Sequence, residues 1–199
     1  MLKVGITGGI GSGKTTACKL FSKHYDIPIY YADSRAKYLM NFNPILKQQI
    51  KDILGTDAYH NNGRLNRRQV SSIVFKNPKL LKALNELVHP AVQIDGIKWF
   101  NELPEKYPYA IKEAALLYES KSYQTLDKII VVHVDNDIRI QRVMQRDGIS
   151  REQVLERLNN QMPQHKKMKM ADFLLDNVSR KNLKKQIDLL HLKLITLSK

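Results

Sequence analysis

Leu2-Lys3-Val4-Gly5-Ile6-Thr7-Gly8-Gly9-Ile10-Gly11-Ser12-Gly13-Lys14-Thr15-Thr16 decides how the chain is read. Gly8, four residues, then Gly13-Lys14-Thr15 spell G-x-x-x-x-G-K-[ST], the phosphate-binding loop. Glycines let a backbone wrap closely round a phosphate chain, at angles other residues resist. The loop's N–H groups and the N-terminus of the next helix aim at the anion. Lys14 would reach the terminal phosphates, and Thr15 would offer its hydroxyl to magnesium. By average residue usage the pattern arises by chance about once in a hundred chains of this length. Its context sharpens it: Leu2, Val4 and Ile6 alternate as a strand does, and Ala17, Cys18, Leu20 and Phe21 recur at helical spacing. The competing reading is a glycine-rich turn with no ligand.

Outward from the loop, the 199 residues suffice for one or two domains with a sizeable core. No apolar run approaches the length that spans a membrane. The chain runs into its first strand without a signal-peptide pattern, and the single cysteine, Cys18, excludes an internal disulfide. A cytoplasmic location is expected. A net charge of +14 fits phosphorylated small substrates, nucleic acid, or a plain solvated basic surface, and charge alone does not choose.

Strands and helices alternate, which predicts an α/β fold with a mainly parallel sheet and helices on both faces. Ile27–Tyr31 reads as the second strand. Asp33 follows it, at the carboxyl end where such sheets gather ligands. From about Ser34 to Leu103 the chain is helix-rich, broken at Asn43-Pro44 and between Gly55 and Gly63; we read it as an inserted helical subdomain. Asn66 with Gln69 resembles a helix cap and its return partner, Pro78 opens a helix, and Pro90 begins a new segment or kinks the old one. A third strand and the turn beyond it are expected within Tyr109–Leu116, and further strands at Lys128–Val134 and Asp172–Leu175. Helices are expected from Asp137 to Arg146, from a Ser150/Gln153 cap to about Met162, and after Ser179 with a stripe of Leu183, Ile187, Leu190, Leu194 and Leu197.

Phosphoryl transfer needs in-line positioning, charge neutralisation and an acceptor for the substrate's proton. Asp33 suits the last role, and suits a helix N-cap equally; one residue can do both. Glu113 ends an apolar strand, as a magnesium-holding carboxylate would or a strand-end surface acid does. Arg142 and Arg146 share a helix face, and arginine forks match the spread charge of a transferring phosphate. His89 is a packing histidine or a substrate contact. His165-Lys166-Lys167 with Lys169 forms a basic run of the kind that is usually exposed.

Several motifs then align at once. The Ile6–Lys14 loop, Ala32-Asp33, Leu87-Val88-His89-Pro90 and Ala115-Leu116-Leu117-Tyr118-Glu119 resemble, in order, motifs of the bacterial dephospho-coenzyme A kinase family. So do Arg142 with Arg146-Asp147-Gly148, Arg157 and Gln161, and the stretch from Ala171-Asp172 to Asp176-Asn177. The resemblance covers nearly the whole chain. It implies a P-loop NTPase-type core at 1–33, 104–138 and 171–199, a helical CoA-substrate subdomain at 34–103 and a helical lid at 139–170. It implies transfer of the γ-phosphate of ATP, with Mg²⁺, to the ribose 3′-hydroxyl of dephospho-CoA. Gly9, Gly11, Ser12, Gly13, Lys14, Thr15 and Thr16 would then hold ATP's phosphates, Thr15 also the metal, and Asn177 would lie by the adenine. Asp33 would take the hydroxyl proton and, with Lys37 and His89, contact dephospho-CoA, while Arg142 and Arg146 close on the phosphates. Three positions depart from the family pattern: Tyr31 replaces an acid, Lys37 an arginine, and Lys112-Glu113-Ala114-Ala115 an acid-x-proline turn.

The nearest alternative is a kinase of this architecture with another acceptor, such as a nucleoside monophosphate or a polyol. From another class, charge suggests a nucleic-acid-dependent NTPase, but no recognition motif or aromatic-rich basic platform supports it. The expectation is therefore a monomer whose partners are ATP and dephospho-CoA, with neither nucleic acid nor membrane.

Overall fold

A computed structural model describes residues 1–74 and 76–199. In chain order its main elements are β1 (Leu2–Thr7), α1 (Lys14–Tyr25), β2 (Ile29–Tyr31), α2 (Ala32–Phe42), α3 (Pro44–Leu54), α4 (Arg67–Val74), α5 (Pro78–Glu102), β3 (Tyr109–Glu113), β4 (Lys128–His133), α6 (Asn136–Asp147), α7 (Arg151–Asn159), α8 (Gln164–Lys169), β5 (Phe173–Asp176) and α9 (Arg180–Leu197). The chain divides into two compact units, Met1–Tyr31 with Phe100–Lys199, and Ala32–Trp99.

The first unit is built on a parallel sheet in the order β2-β3-β1-β4-β5. The chain's first strand is thus its central one, and its near-continuous burial fits a strand covered on both faces. Val4 and Ile6 enter a core with Ala17, Cys18 and Phe21 of α1 and Leu183, Ile187 and Leu194 of α9. Gly5 is required by packing: a Cβ there would stand 2.8 Å from Leu117, Leu126 and Ile129. A smaller core joins Ile140 and Val143 of α6 to Val154 of α7, with Ile10 of the loop packed against it.

Caps read from the sequence form as expected. Ser150 and Gln153 make a reciprocal capping box, Ser179 accepts from the Asn182 N–H, and Asn66 accepts from the Gln69 N–H, although its own N–H goes to the Ala58 carbonyl and not back to Gln69. Other expectations are corrected. The second strand begins at Ile29 because Pro28 has no N–H to pair, although the Pro28 carbonyl still accepts from Ile111. α7 ends at Asn159, short of Met162. Leu197 is exposed, because α9 turns it away from the core that takes Leu183 to Leu194. Lys167, read as part of an exposed run, is fully buried.

In the second unit, α5 runs through Pro90 as one helix, so of the two expectations there, the new segment is absent. Proline removes one i→i−4 bond, and twelve helical residues on either side with Val88 and Val92 buried carry the helix past it. Asp33 lies within the first turn of α2 rather than capping it, since the helix already starts at Ala32. Arg35 of α2 grips Asp95 of α5 with two bonds of 2.8 and 2.6 Å. Between Gly55 and Gly63 a short 3-10 turn (Thr56–Ala58) and a Tyr59–Leu65 bridge close the break between α3 and α4.

Candidate functional site

The loop from Gly8 to Lys14 joins the central strand to α1. Gly11 (φ 79°) and Gly13 (φ 91°) adopt left-handed backbone that side chains resist. Gly13 is the N-cap of α1 with no side-chain cap bond, and the first turn carries no acid to offset the positive end of the helix dipole. Lys14 folds back over the loop, its Nζ donating to the carbonyls of Gly8 at 3.1 Å and Gly9 at 3.5 Å. The ammonium is thus held, almost buried, over the loop's own carbonyls. Thr15 is exposed and Thr16 half-buried in the first turn.

Three side chains from the last third of the chain grip this loop. Arg139, buried in α6, donates from Nε to the Ile10 carbonyl at 3.0 Å and from Nη1 to Asn136 at 2.9 Å; burial draws its pKa down. Its guanidinium fills the space where a Gly9 Cβ would stand, 1.9 Å from Nη2. Gln161 accepts the Ile10 N–H at 2.9 Å. Asn177, just beyond β5, donates to the Ser12 carbonyl at 2.8 Å. Arg139 and Gln161 also line a cleft of about 510 Å³ beside α6, α7 and α8, with Asp135, Leu155, Met162 and His165.

Arg142, one turn after Arg139, donates from Nη2 to the Asn177 carbonyl at 3.0 Å, while its Nη1 is buried with no partner among the described residues. A buried guanidinium nitrogen without an acceptor calls for one. Arg146 is exposed and binds its own neighbour Asp147 through two bonds of 2.7 and 3.0 Å. Arg157 adds a third at 2.8 Å. Arg146 first, then Arg157, holds the Asp147 carboxyl below the usual carboxylate range.

Glu113 ends β3, buried, in register with Ile6 of β1 and Tyr31 of β2. Its charge adds to burial in raising the Cys18 thiol well above its ordinary value, while Lys14 opposes it. The Tyr31 phenol, where the family pattern has an acid, is likewise raised, chiefly by burial.

The structure therefore brings Gly9, Gly11, Ser12, Gly13, Lys14, Thr15, Thr16, Arg142 and Asn177 into one constellation, with Arg146 on the same helix as Arg142. Asp33, Lys37 and His89 belong to the second unit. Asp33 and Lys37 are exposed one turn apart on α2, and His89 is half-buried in α5, its pKa lowered by desolvation. The sequence places Arg139 among the arginines flanking the Asp147-Gly148 turn but singles out Arg142 and Arg146 as the pair that meets phosphate. The spacing of three between Arg139 and Arg142 was the available signal.

The family model described as "Dephospho-CoA kinase" matches residues 2–182. A curated dephospho-CoA kinase of Staphylococcus epidermidis is 37% identical over 178 residues, 89% of this chain and 87% of that protein. One from Vibrio vulnificus is 34% identical over the whole chain and 98% of its own length. Among solved structures, TT1252 from Thermus thermophilus superposes with a TM-score of 0.84 at 31% identity, covering 96% of each chain. With a family model spanning nearly all of it and relatives above 30% identity along its length, the chain belongs to the dephospho-CoA kinase family.

Proposed function

We propose how this member of the family, which phosphorylates dephospho-CoA with ATP in the last step of coenzyme A biosynthesis, divides the work among its residues. The backbone N–H groups of Gly11 to Thr16 and the α1 N-terminus hold ATP's phosphates, and Lys14 moves from the Gly8 and Gly9 carbonyls onto the terminal phosphates. One observation carries this: a nearly buried ammonium on the loop's own carbonyls, at the head of a helix with no side-chain cap and no acid in its first turn. Asn177 holds the wall of the loop on the adenine side.

Asp33 accepts the proton of the ribose 3′-hydroxyl. Its support is its place directly after β2, at the carboxyl end of a strand, with an exposed carboxylate. His89 and Lys37 contact dephospho-CoA, so that residues 34–103 serve as the substrate subdomain and 139–170 as a lid. Arg142 offers its unpartnered Nη1 to the transferring phosphate, where charge spreads over oxygens. Arg146 joins it by leaving Asp147.

The donors fit Mg²⁺. Thr15 presents an exposed hydroxyl in the first turn of α1, and Glu113 supplies a carboxylate close enough to α1 to act on Cys18. An ion that keeps most of its waters and binds substrate phosphates needs no larger protein cage. Thr15 would hold it directly and Glu113 through water; when bound, it neutralises charge on the phosphates. We further read the protein as a cytoplasmic monomer. No helix among the described residues is long and apolar enough to cross a membrane.

The test is ADP release from ATP and Mg²⁺ with dephospho-CoA, a nucleoside monophosphate, a polyol and single-stranded DNA as separate additions. Stimulation by dephospho-CoA alone, with CoA as product, is expected. Turnover on another acceptor instead would overturn the substrate assignment while leaving the loop.

A further inference from the structure

Lys167 lies in a basic run, yet it is fully buried. Burial of an ammonium is costly unless it is paired and hydrogen-bonded. Here both conditions hold: Nζ meets Glu119 Oε1 at 2.8 Å and donates to the Ala115 carbonyl at 2.8 Å. The same Glu119 oxygen accepts the backbone N–H of Met162, also at 2.8 Å. The residue before Met162 is Gln161, whose side-chain oxygen takes the Ile10 N–H of the phosphate loop.

The order of these bonds matters. Pinning the Met162 N–H fixes the peptide that joins it to Gln161, and so fixes where the Gln161 side chain starts. The Ile10 N–H is then held from the turn between α7 and α8, and its carbonyl from Arg139 of α6. The other end of the pair reaches the same region by a second route. The Ala115 carbonyl that receives Lys167 also accepts from Thr7 Oγ1 at 3.3 Å, and Thr7 is the last residue before the loop's first glycine.

We propose that Glu119, with Lys167 holding it in place, is a positioning residue for the ATP site: through the Met162 N–H it sets Gln161 on Ile10 and so fixes the loop's backbone donors before nucleotide arrives. Catalytic loops work by presenting donors already aimed, because re-aiming them during the reaction would forfeit the gain. The ion pair supports this without touching substrate. The proposal rests on the loop being the ATP site.

The test separates charge from positioning. E119Q/K167M removes both charges and keeps an acceptor for Met162. E119A/K167M removes the acceptor as well. Exchanging a buried pair for neutral groups of similar volume is often tolerated. E119A/K167M and Q161A should each raise the KM for ATP about tenfold, the worth of one positioning hydrogen bond. The KM for dephospho-CoA should not move, and E119Q/K167M should keep the parent's KM for ATP. The triple variant Q161A/E119A/K167M should be no worse than Q161A, because the residues act in series. Amide hydrogen exchange at Ile10, followed without nucleotide, should speed up in Q161A and E119A/K167M and not in E119Q/K167M.

Unchanged ATP kinetics and Ile10 exchange in E119A/K167M, or losses that multiply in the triple variant, would overturn the proposal. If E119A/K167M does not fold, E119D takes its place: a negative charge stays near Lys167, while the shorter side chain draws the shared oxygen back from the Met162 N–H. A parental ATP KM in E119D would be equally fatal. Lys14→Ala is the control. If it leaves ATP turnover intact, the loop assignment is at fault; if it abolishes turnover while E119D and E119A/K167M behave as the parent, the positioning role is.

Discussion

The Asn177 carboxamide and the Ser12 carbonyl are joined by a 2.8 Å hydrogen bond across 165 residues of sequence, and Gly13 leaves no room between them for another atom. A Cβ on Gly13 would stand 1.9 Å from Asn177 Nδ2, at a φ of 91° that side chains already resist. Gly13→Ala is therefore expected to abolish ATP binding by calorimetry, because the loop and Asn177 must both move. Gly148→Ala is the matched control. Gly148 also has a positive φ, 65°, but nothing lies within 4 Å of its Cβ position. It should cost about 1–2 kcal/mol of stability and leave ATP affinity alone.

Lys14→Ala and Asp33→Asn should fail in different ways. Without Lys14 the terminal phosphates lose their mobile cation, and both ATP affinity and turnover should fall, kcat/KM by about 10²–10³-fold. Asp33→Asn should bind ATP normally and lose about 10²–10⁴ in kcat, the usual worth of a general base. Near-parental turnover in D33N would remove Asp33 as the proton acceptor.

Two arginines one turn apart on α6 should separate cleanly. Arg139 is committed to Ile10 and Asn136 and packs on Gly9, so Arg139→Ala should lower the melting temperature and raise the KM for ATP together. Arg142 keeps a buried nitrogen in reserve, so Arg142→Ala should lower kcat with a smaller effect on stability. Thermal melts and steady-state kinetics on both variants check the split. If dephospho-CoA affinity falls in R142A while kcat holds, Arg142 is a substrate anchor instead.

Acid should loosen the sheet face around α9. The His191 ring stacks on Tyr25 at 3.7 Å between centroids, and its Nδ1 shares a 2.7 Å hydrogen bond with the Tyr109 hydroxyl. Burial lowers the His191 pKa, with only partial opposition from Asp188. The unfolded chain takes up a proton near the ordinary value of about 6.5, which the folded chain refuses, so stability falls as pH drops below that value. His191→Gln keeps an acceptor but cannot titrate. It should flatten the fall in melting temperature between about pH 7 and 5, part of which His89 retains because burial lowers it in the same direction. An unchanged slope in H191Q would discard His191 as a contributor.

Much of the fold was legible because its signals are local. The strand, glycines and helix of residues 2–25 follow one another, and the caps at Asn66, Ser150 and Ser179 act over three residues. What the sequence hid depends on distant partners. Lys167 looks like its neighbours Lys166 and Lys169, which are exposed; only the carboxylate of Glu119 and the carbonyl of Ala115 make its burial tolerable. Arg139 reads as one more surface arginine until the chain brings Ile10, 129 residues away, against it. At Pro90 the local signal left a new segment or a kink open, and the long helix with buried residues on both sides settles against a new segment.

The loop and its three grips also lie far apart in the order of synthesis. The ribosome makes the loop within the first sixteen residues, whereas Arg139, Gln161 and Asn177 come from the last third of the chain. Its central strand likewise waits for β3 and β4 to supply neighbours on both sides. A nascent chain therefore carries its phosphate motif long before the residues that shape it are made, so nucleotide binding reports that the segment through Asn177 has been synthesised and folded.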